Sequence, residues 1–365
     1  MKIKRQIRGL HIFSALGNLS LTGAWVTLLA ARGFSLVEIG LAETAFHITS
    51  LLCEIPSGIL ADVFGRKRML IVSTIAQMIG DLIMMLSNSF AMVCVSLCVF
   101  ALKYNFASGS DTALAYDSLK MVGQEDGYER YESRQLVLYR ICSGISTLCA
   151  GIALAVGYQI AYGISAAMGI LQLLSLIPVR EVYAGGSKRA GSTVRSAVRE
   201  SMACFRESIQ FLWSARKAVG LMMCNALVGA ADILLLFFLQ AKLPESSIPG
   251  WALGIALLCL ELGGIIGSRL IIKLPKLPYR WVFIGALGMI TLGYLAEHTM
   301  LYAVMTIGGM LASAGDDALQ VRTNAKLQSM FPSEQRATLT SVESFAFSIV
   351  MIVLSPLAGV LFTHW

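Results

Sequence analysis

Eleven apolar stretches of about 20 residues, separated by short polar segments, decide what this chain can fold into. They lie near 10–31, 36–57, 70–88, 91–115, 135–157, 159–179, 217–240, 250–272, 281–297, 299–321 and 338–362. A helix of that length crosses the roughly 30 Å hydrocarbon core of a bilayer. The chain is 56% hydrophobic and 14% charged. A soluble protein carries about 25% charged residues, so these charges are too few to clothe 365 residues in water. The expectation is an all-α polytopic membrane protein; a disordered, collagenous or disulfide-stapled chain is excluded.

The net charge of +7 is distributed by side. With the N-terminus placed inside, 24 of the 29 Lys and Arg residues fall in inner segments. Only Arg32 and Lys242 fall in outer loops, and Lys103, Arg140 and Arg269 lie within spans. This is the positive-inside pattern of an inner, plasma-type membrane with a cytoplasmic N-terminus. It leaves no folded basic face for nucleic acid. The basic start Met1–Arg8 precedes an apolar run too long for a signal-peptide core, so Leu10–Ala31 reads as a first span. Eight cysteines include no CxxC pair and nearly all sit in apolar runs; they read as small buried apolar residues.

The segments group as 1–180, an N-terminal bundle of six spans; 181–216, a cytoplasmic linker; and 217–365, a C-terminal bundle of five. In the linker Val194, Val198, Met202, Phe205, Ile209 and Leu212 recur at helical spacing opposite Arg195, Arg199 and Arg206. That predicts an amphipathic helix on the inner membrane surface. A repeat with an offset of about 206 residues relates Gly109 to Gly315, Asp111 to Asp317 and Arg130 to Arg336. Like orientation of the two halves requires parallel six-span-type bundles. A partner of the sixth span would lie near 365–385, where the chain has stopped at Trp365, so either a twelfth span is missing or the chain is truncated.

Between spans two and three the sequence reads Gly58-Ile-Leu-Ala61-Asp62-Val-Phe-Gly65-Arg66-Lys67-Arg68. This resembles the loop signature of the major facilitator superfamily, Gly-x-x-Ala-Asp-x-x-Gly-Arg-Lys/Arg. The stretches Glu54–Gly58 and Phe331–Thr338 look like those of bacterial drug-exporter-like members. The resemblance implies a gating latch. Gly58 and Gly65 would permit close approach and a tight turn. Asp62 would face the start of span eleven, Ser333 to Arg336, while Arg66, with Lys67 beside it, would pair with Asp117. Two positions depart from drug–proton antiporters. Asn105 stands where an arginine precedes the span-four glycine, and span five has Gly144 and Gly151 without a proline.

Acids inside spans are costly and mark pathways by default. Glu54, Asp111, Asp232, Glu261 and Asp317 are the proton or substrate candidates, with helix-packing or ion-pair roles as the alternative. Asp232 is expected deepest in a central cavity, with no base within helical reach on its own span. No phosphate-binding GxxxxGK[ST] loop, HExxH or paired Cys/His spacing occurs, so neither direct ATP use, enzymatic chemistry, a cofactor nor a metal is expected. The four histidines read as scattered packing residues.

The resemblance implies a secondary transporter, expected to be a monomer in lipid, that moves a small molecule by alternating access. Proton-driven efflux of drug-like compounds is the first expectation. Uptake or facilitated diffusion of a small metabolite is the alternative, and a non-transporting membrane sensor or assembly protein is the reading from a different class.

Overall fold

A computed structural model describes residues 3–182, 215–330 and 336–364, with Arg199 and Arg206 between them. Among the described residues there are fourteen α-helices and no strand. In chain order α1 is Ile3–Asn18, α2 Trp25–Ala31, α3 Leu36–Phe64, α4 Arg66–Leu86 and α5 Phe90–Ala107. Next come α6 Ser110–Lys120, α7 Tyr128–Leu148, α8 Ala150–Val156 and α9 Tyr158–Ser175. The rest are α10 Arg216–Lys242, α11 Gly250–Ile272, α12 Tyr279–Glu297, α13 Tyr302–Met330 and α14 Arg336–His364. Helices are what the composition demands, since a backbone in lipid must satisfy its hydrogen bonds within the segment. The predicted amphipathic linker helix lies outside the described residues apart from Arg199 and Arg206, both helical.

Seven helical stretches are long and apolar enough to cross a membrane, or eight if Arg130–Leu148 and Ala150–Val156, bent by 45°, form one span. Length and composition among the described residues thus do not confirm the expected count of eleven. The first predicted span is broken between Asn18 and Trp25, and its helix starts early, in the charged Lys4–Arg8 segment. The sixth coincides with α9, which carries Gln159 and Gln172, and the tenth with α13, which carries Asp316, Asp317 and Arg322. Polar residues on these three helices dilute the apolar signal.

The chain packs as two compact units. The first comprises Met1–Gly23, Ile48–Cys149 and Val156–Met202; the second comprises Ala24–His47, Ala150–Ala155 and Ala203–Trp365. The first unit closes around Leu10, Phe13, Leu70, Leu114, Tyr131 and Leu176. The second closes around Leu235, Leu239, Leu257, Leu260, Met305 and Leu319. In the second unit Gly263 and Gly267, one turn apart on α11, sit on the Met310 and Ala314 carbonyls of α13, where any side chain would overlap backbone. Small residues at such a crossing let two helices approach closely in lipid. Among the seven described cysteines none forms a disulfide; Cys142 is buried and the other six are half-buried.

Candidate functional site

The motif between the second and third spans is built around one glycine. Gly65 has φ +100°, a conformation that a side chain opposes, and it separates α3 from α4. The turn aims the first amides of α4 at an acid. Arg66 N donates to Glu181 Oε1 at 3.0 Å and Lys67 N to Oε2 at 2.9 Å. A carboxylate there satisfies orphan amides and meets the positive end of the helix dipole. Arg66 Nη1 pairs with Asp117 Oδ2, and the Asp117 residue is 6% exposed. Lys67 is half-buried beside it.

Gln6 fastens the same corner. Its amide donates to the Arg180 carbonyl at 2.8 Å and accepts from the Arg180 amide at 2.8 Å. It also donates to Ser118 Oγ at 3.1 Å. Glu181, Gln6 and Ser118 belong to no motif, and sequence reasoning passed over them. Gly58 lies within α3, and a Cβ there would meet nothing within 4 Å among the described residues, so no close approach explains it. The expected contact between Asp62 and Ser333–Arg336 lies outside the described residues.

The acids in the spans separate into two kinds. In the first unit they have local partners. Asp81, 1% exposed, accepts from Ser165 Oγ at 3.0 Å and has the Lys103 charge nearby. Asp111 follows Gly109 (φ +68°), which breaks span four, and its Oδ1 accepts from the Thr112 amide at 2.8 Å. Glu54 is half-buried on α3, two residues before the intrahelical Pro56.

In the second unit the structure brings acids together. Asp232 on α10 is 4% exposed, and Ser313 Oγ of α13 lies 3.4 Å from both its carboxylate oxygens. Asp316 and Asp317 are close enough to repel its charge. Two glycines make room: a Cβ at Gly229 would sit 3.5 Å from Asp316 Oδ1, and one at Gly264 would overlap the Asp317 carboxylate. Asp111 and Asp317 are repeat mates in sequence but not in surroundings. One lies in the first turn of α6; the other sits in mid-helix against α11. Glu261, also on α11, is half-buried. Asp316 is not among the sequence candidates, although its spacing from Ser313 puts both on one face of α13.

Polar backbone gathers where span one breaks. Ser146 Oγ donates to the Asn18 carbonyl at 3.0 Å and accepts from the Ser20 amide at 2.9 Å. Non-helical backbone at membrane depth persists only inside protein or beside a hydrated cavity. His47 is not a bland packing residue either. Its Nε2 lies 3.2 Å from Glu43 Oε1 one turn earlier, and its Nδ1 lies 3.3 Å from Ser348 Oγ. Among the described residues no group of three or more His, Cys, Asp and Glu is arranged to hold a metal ion.

Comparison with known proteins places this geometry. The sequence is 21% identical to the uncharacterized MFS-type transporter YxaM of Bacillus subtilis (strain 168), over 96% of this chain and 87% of that protein. A shorter stretch, 23% of this chain, is 39% identical to an uncharacterized transporter of Buchnera aphidicola subsp. Schizaphis graminum, and spans only 20% of that protein. Among solved structures, nucleoside transporter NupG superposes with a TM-score of 0.70 at 13% identity, covering 98% of this chain and 90% of that one. The D-xylose-proton symporter superposes with a TM-score of 0.69 at 12% identity, covering 96% and 87%. Both likenesses are of fold. The sequence profile of the Major Facilitator Superfamily matches residues 9–353, nearly the whole chain. The chain belongs to the major facilitator superfamily and is a multi-span membrane transporter.

Proposed function

We propose that this transporter couples proton movement to the passage of a small polar solute by alternating access. Asp232 carries the reading: it is 4% exposed, hydrogen-bonds a neutral hydroxyl, and has Asp316 and Asp317 for charged neighbours. Three negative charges in one membrane-embedded cluster are costly. A proton, or a cationic group on the solute, is the natural counter-charge, and its arrival or departure would bias the transporter between its two states. The broken first span, with Asn18, Ser20 and Ser146, supports a polar rather than a greasy solute. The names of the structural neighbours, a nucleoside transporter and a sugar–proton symporter, lean the same way. Export of drug-like compounds is the second reading, favoured by the Glu54–Gly58 stretch.

In this reading the corner at Gly65, Arg66, Asp117 and Glu181 is the inner gate's anchor. The test is purified protein in liposomes under an imposed pH gradient, offered a nucleoside, a pentose or a cationic dye. We expect accumulation of one polar solute. Asp232→Asn should abolish that accumulation while counterflow exchange persists. Accumulation that survives Asp232→Asn would overturn the coupling role. Dye alone being moved would favour export.

A further inference from the structure

We propose that the first unit carries a second site, which binds a phosphate-bearing anion in a groove between α1 and α7. Lys4, Arg8 and His11 recur at four- and three-residue spacing on one face of α1. Arg130 and Arg134 do the same on α7. Residues spaced this way share a helix face. Packing α1 beside α7 makes the two basic faces line one cavity of about 590 Å³. No acid is among its described lining residues.

Bases that only set topology need to lie in an inner segment and need not converge. Arg5, between Lys4 and Arg8 and exposed as they are, does not line the groove. The four that do line it form no side-chain hydrogen bond or ion pair among the described residues. Four cations held together without an acid repel one another and leave their donors to solvent or to a ligand. An anion with several acceptor oxygens resolves both problems, and arginine forks match phosphate geometry.

His11 adds an independent sign. Its ring stacks on Tyr131 with centroids 4.8 Å apart, and Nδ1 is 3.0 Å from Gln135 Oε1. Nε2 is buried with no partner. Gln135 Oε1 can only accept, so Nδ1 carries the proton. That leaves Nε2 to accept from a ligand hydroxyl or, once protonated, to donate to a phosphate oxygen. Ile7, Ile12 and Leu138 are among the apolar residues of the wall, so the occupant carries apolar surface beside its anion. An anionic lipid headgroup at the inner leaflet and a soluble phosphorylated molecule share this chemistry.

The full-length protein in neutral detergent separates the sources. Native mass spectrometry and thermal shift would be run with phosphatidylglycerol, with phosphatidylcholine, and with glycerol phosphate. We expect retention of phosphatidylglycerol, or stabilisation by glycerol phosphate, but neither from phosphatidylcholine. Arg130→Gln and Arg134→Gln should each weaken binding about tenfold, the loss of one charge-assisted contact. Lys4→Gln and Arg8→Gln should act likewise, while Arg5→Gln binds as the parent protein does. Arg130→Lys, with an unchanged elution profile, guards against loss of fold. Phosphatidylglycerol as the ligand assigns the site to lipid; glycerol phosphate assigns it to a soluble compound. Binding of neither, or equal loss in Arg5→Gln, overturns the proposal.

Discussion

Glu297 and Asp232 are buried carboxylates of the same unit with opposite surroundings. Glu297, fully buried at the end of α12, is paired with Lys242 at the end of α10. Asp232 has acids around it instead. Removing the base from a buried pair leaves an uncompensated charge, which costs about 3–5 kcal/mol. We therefore expect Lys242→Met to lower the melting temperature in detergent sharply, and Lys242→Met with Glu297→Gln to recover most of the loss. Arg66 and Asp117 should behave more mildly, because the Arg66 side chain is 29% exposed. Asp117→Asn should cost about 1 kcal/mol or less in melting assays after solvent screening. Its effect should fall on transport rate, and an unchanged rate would remove the gate role. The residues of this corner were unequally legible. Gly65, Arg66 and Lys67 announce themselves by fixed spacing within one loop. Glu181 lies 115 residues from Arg66, so only the folded chain brings it to the α4 amides. Glu43 and His47 were readable in principle, as an acid and an imidazole at helical i, i+4 spacing.

At the scale of elements, the apolar runs located most helices but not their interruptions. A hydropathy pattern averages over about 20 residues, whereas the break in span one depends on a single hydroxyl from another helix. Ser146 hydrogen-bonds the Asn18 carbonyl and the Ser20 amide where that break begins. Ser146→Ala should strand the Ser20 amide and the Asn18 carbonyl, costing about 1–3 kcal/mol. Thermal melting checks the size, and a solute affinity that falls further than stability would tie the broken backbone to binding. Where helices cross without interruption the logic is steric. Gly267→Ala would place a methyl on the Ala314 carbonyl of α13. Overpacking of this kind costs about 1–3 kcal/mol, and a melting temperature equal to the parent's would show that the crossing relaxes freely. The repeat was legible as sequence echo but misleading as geometry. Gly109 takes positive φ and interrupts its span, while Gly315 stays helical and packs on Ala286 of α12.

For the whole molecule, orientation follows from charge rather than from any contact. The segments assigned to the inside hold 24 bases and those assigned to the outside hold Arg32 and Lys242. Basic segments resist transfer across an energised membrane, so this imbalance predicts which side each loop faces. The predicted orientation places the Gly65–Arg66–Asp117 corner and the α1–α7 groove, both in the first unit, at inner ends of helices. An epitope inserted near Gly185, in the linker, should be reached by antibody only after cells are permeabilised. The same epitope at Pro244–Ser247, which follows α10, should be reached in intact cells. Adding or removing a span before Gly185 would invert both results, whereas a change between the two sites would invert only the second. With the N-terminus inside, labelling of the Gly185 site in intact cells would therefore show that the number of spans preceding it is odd.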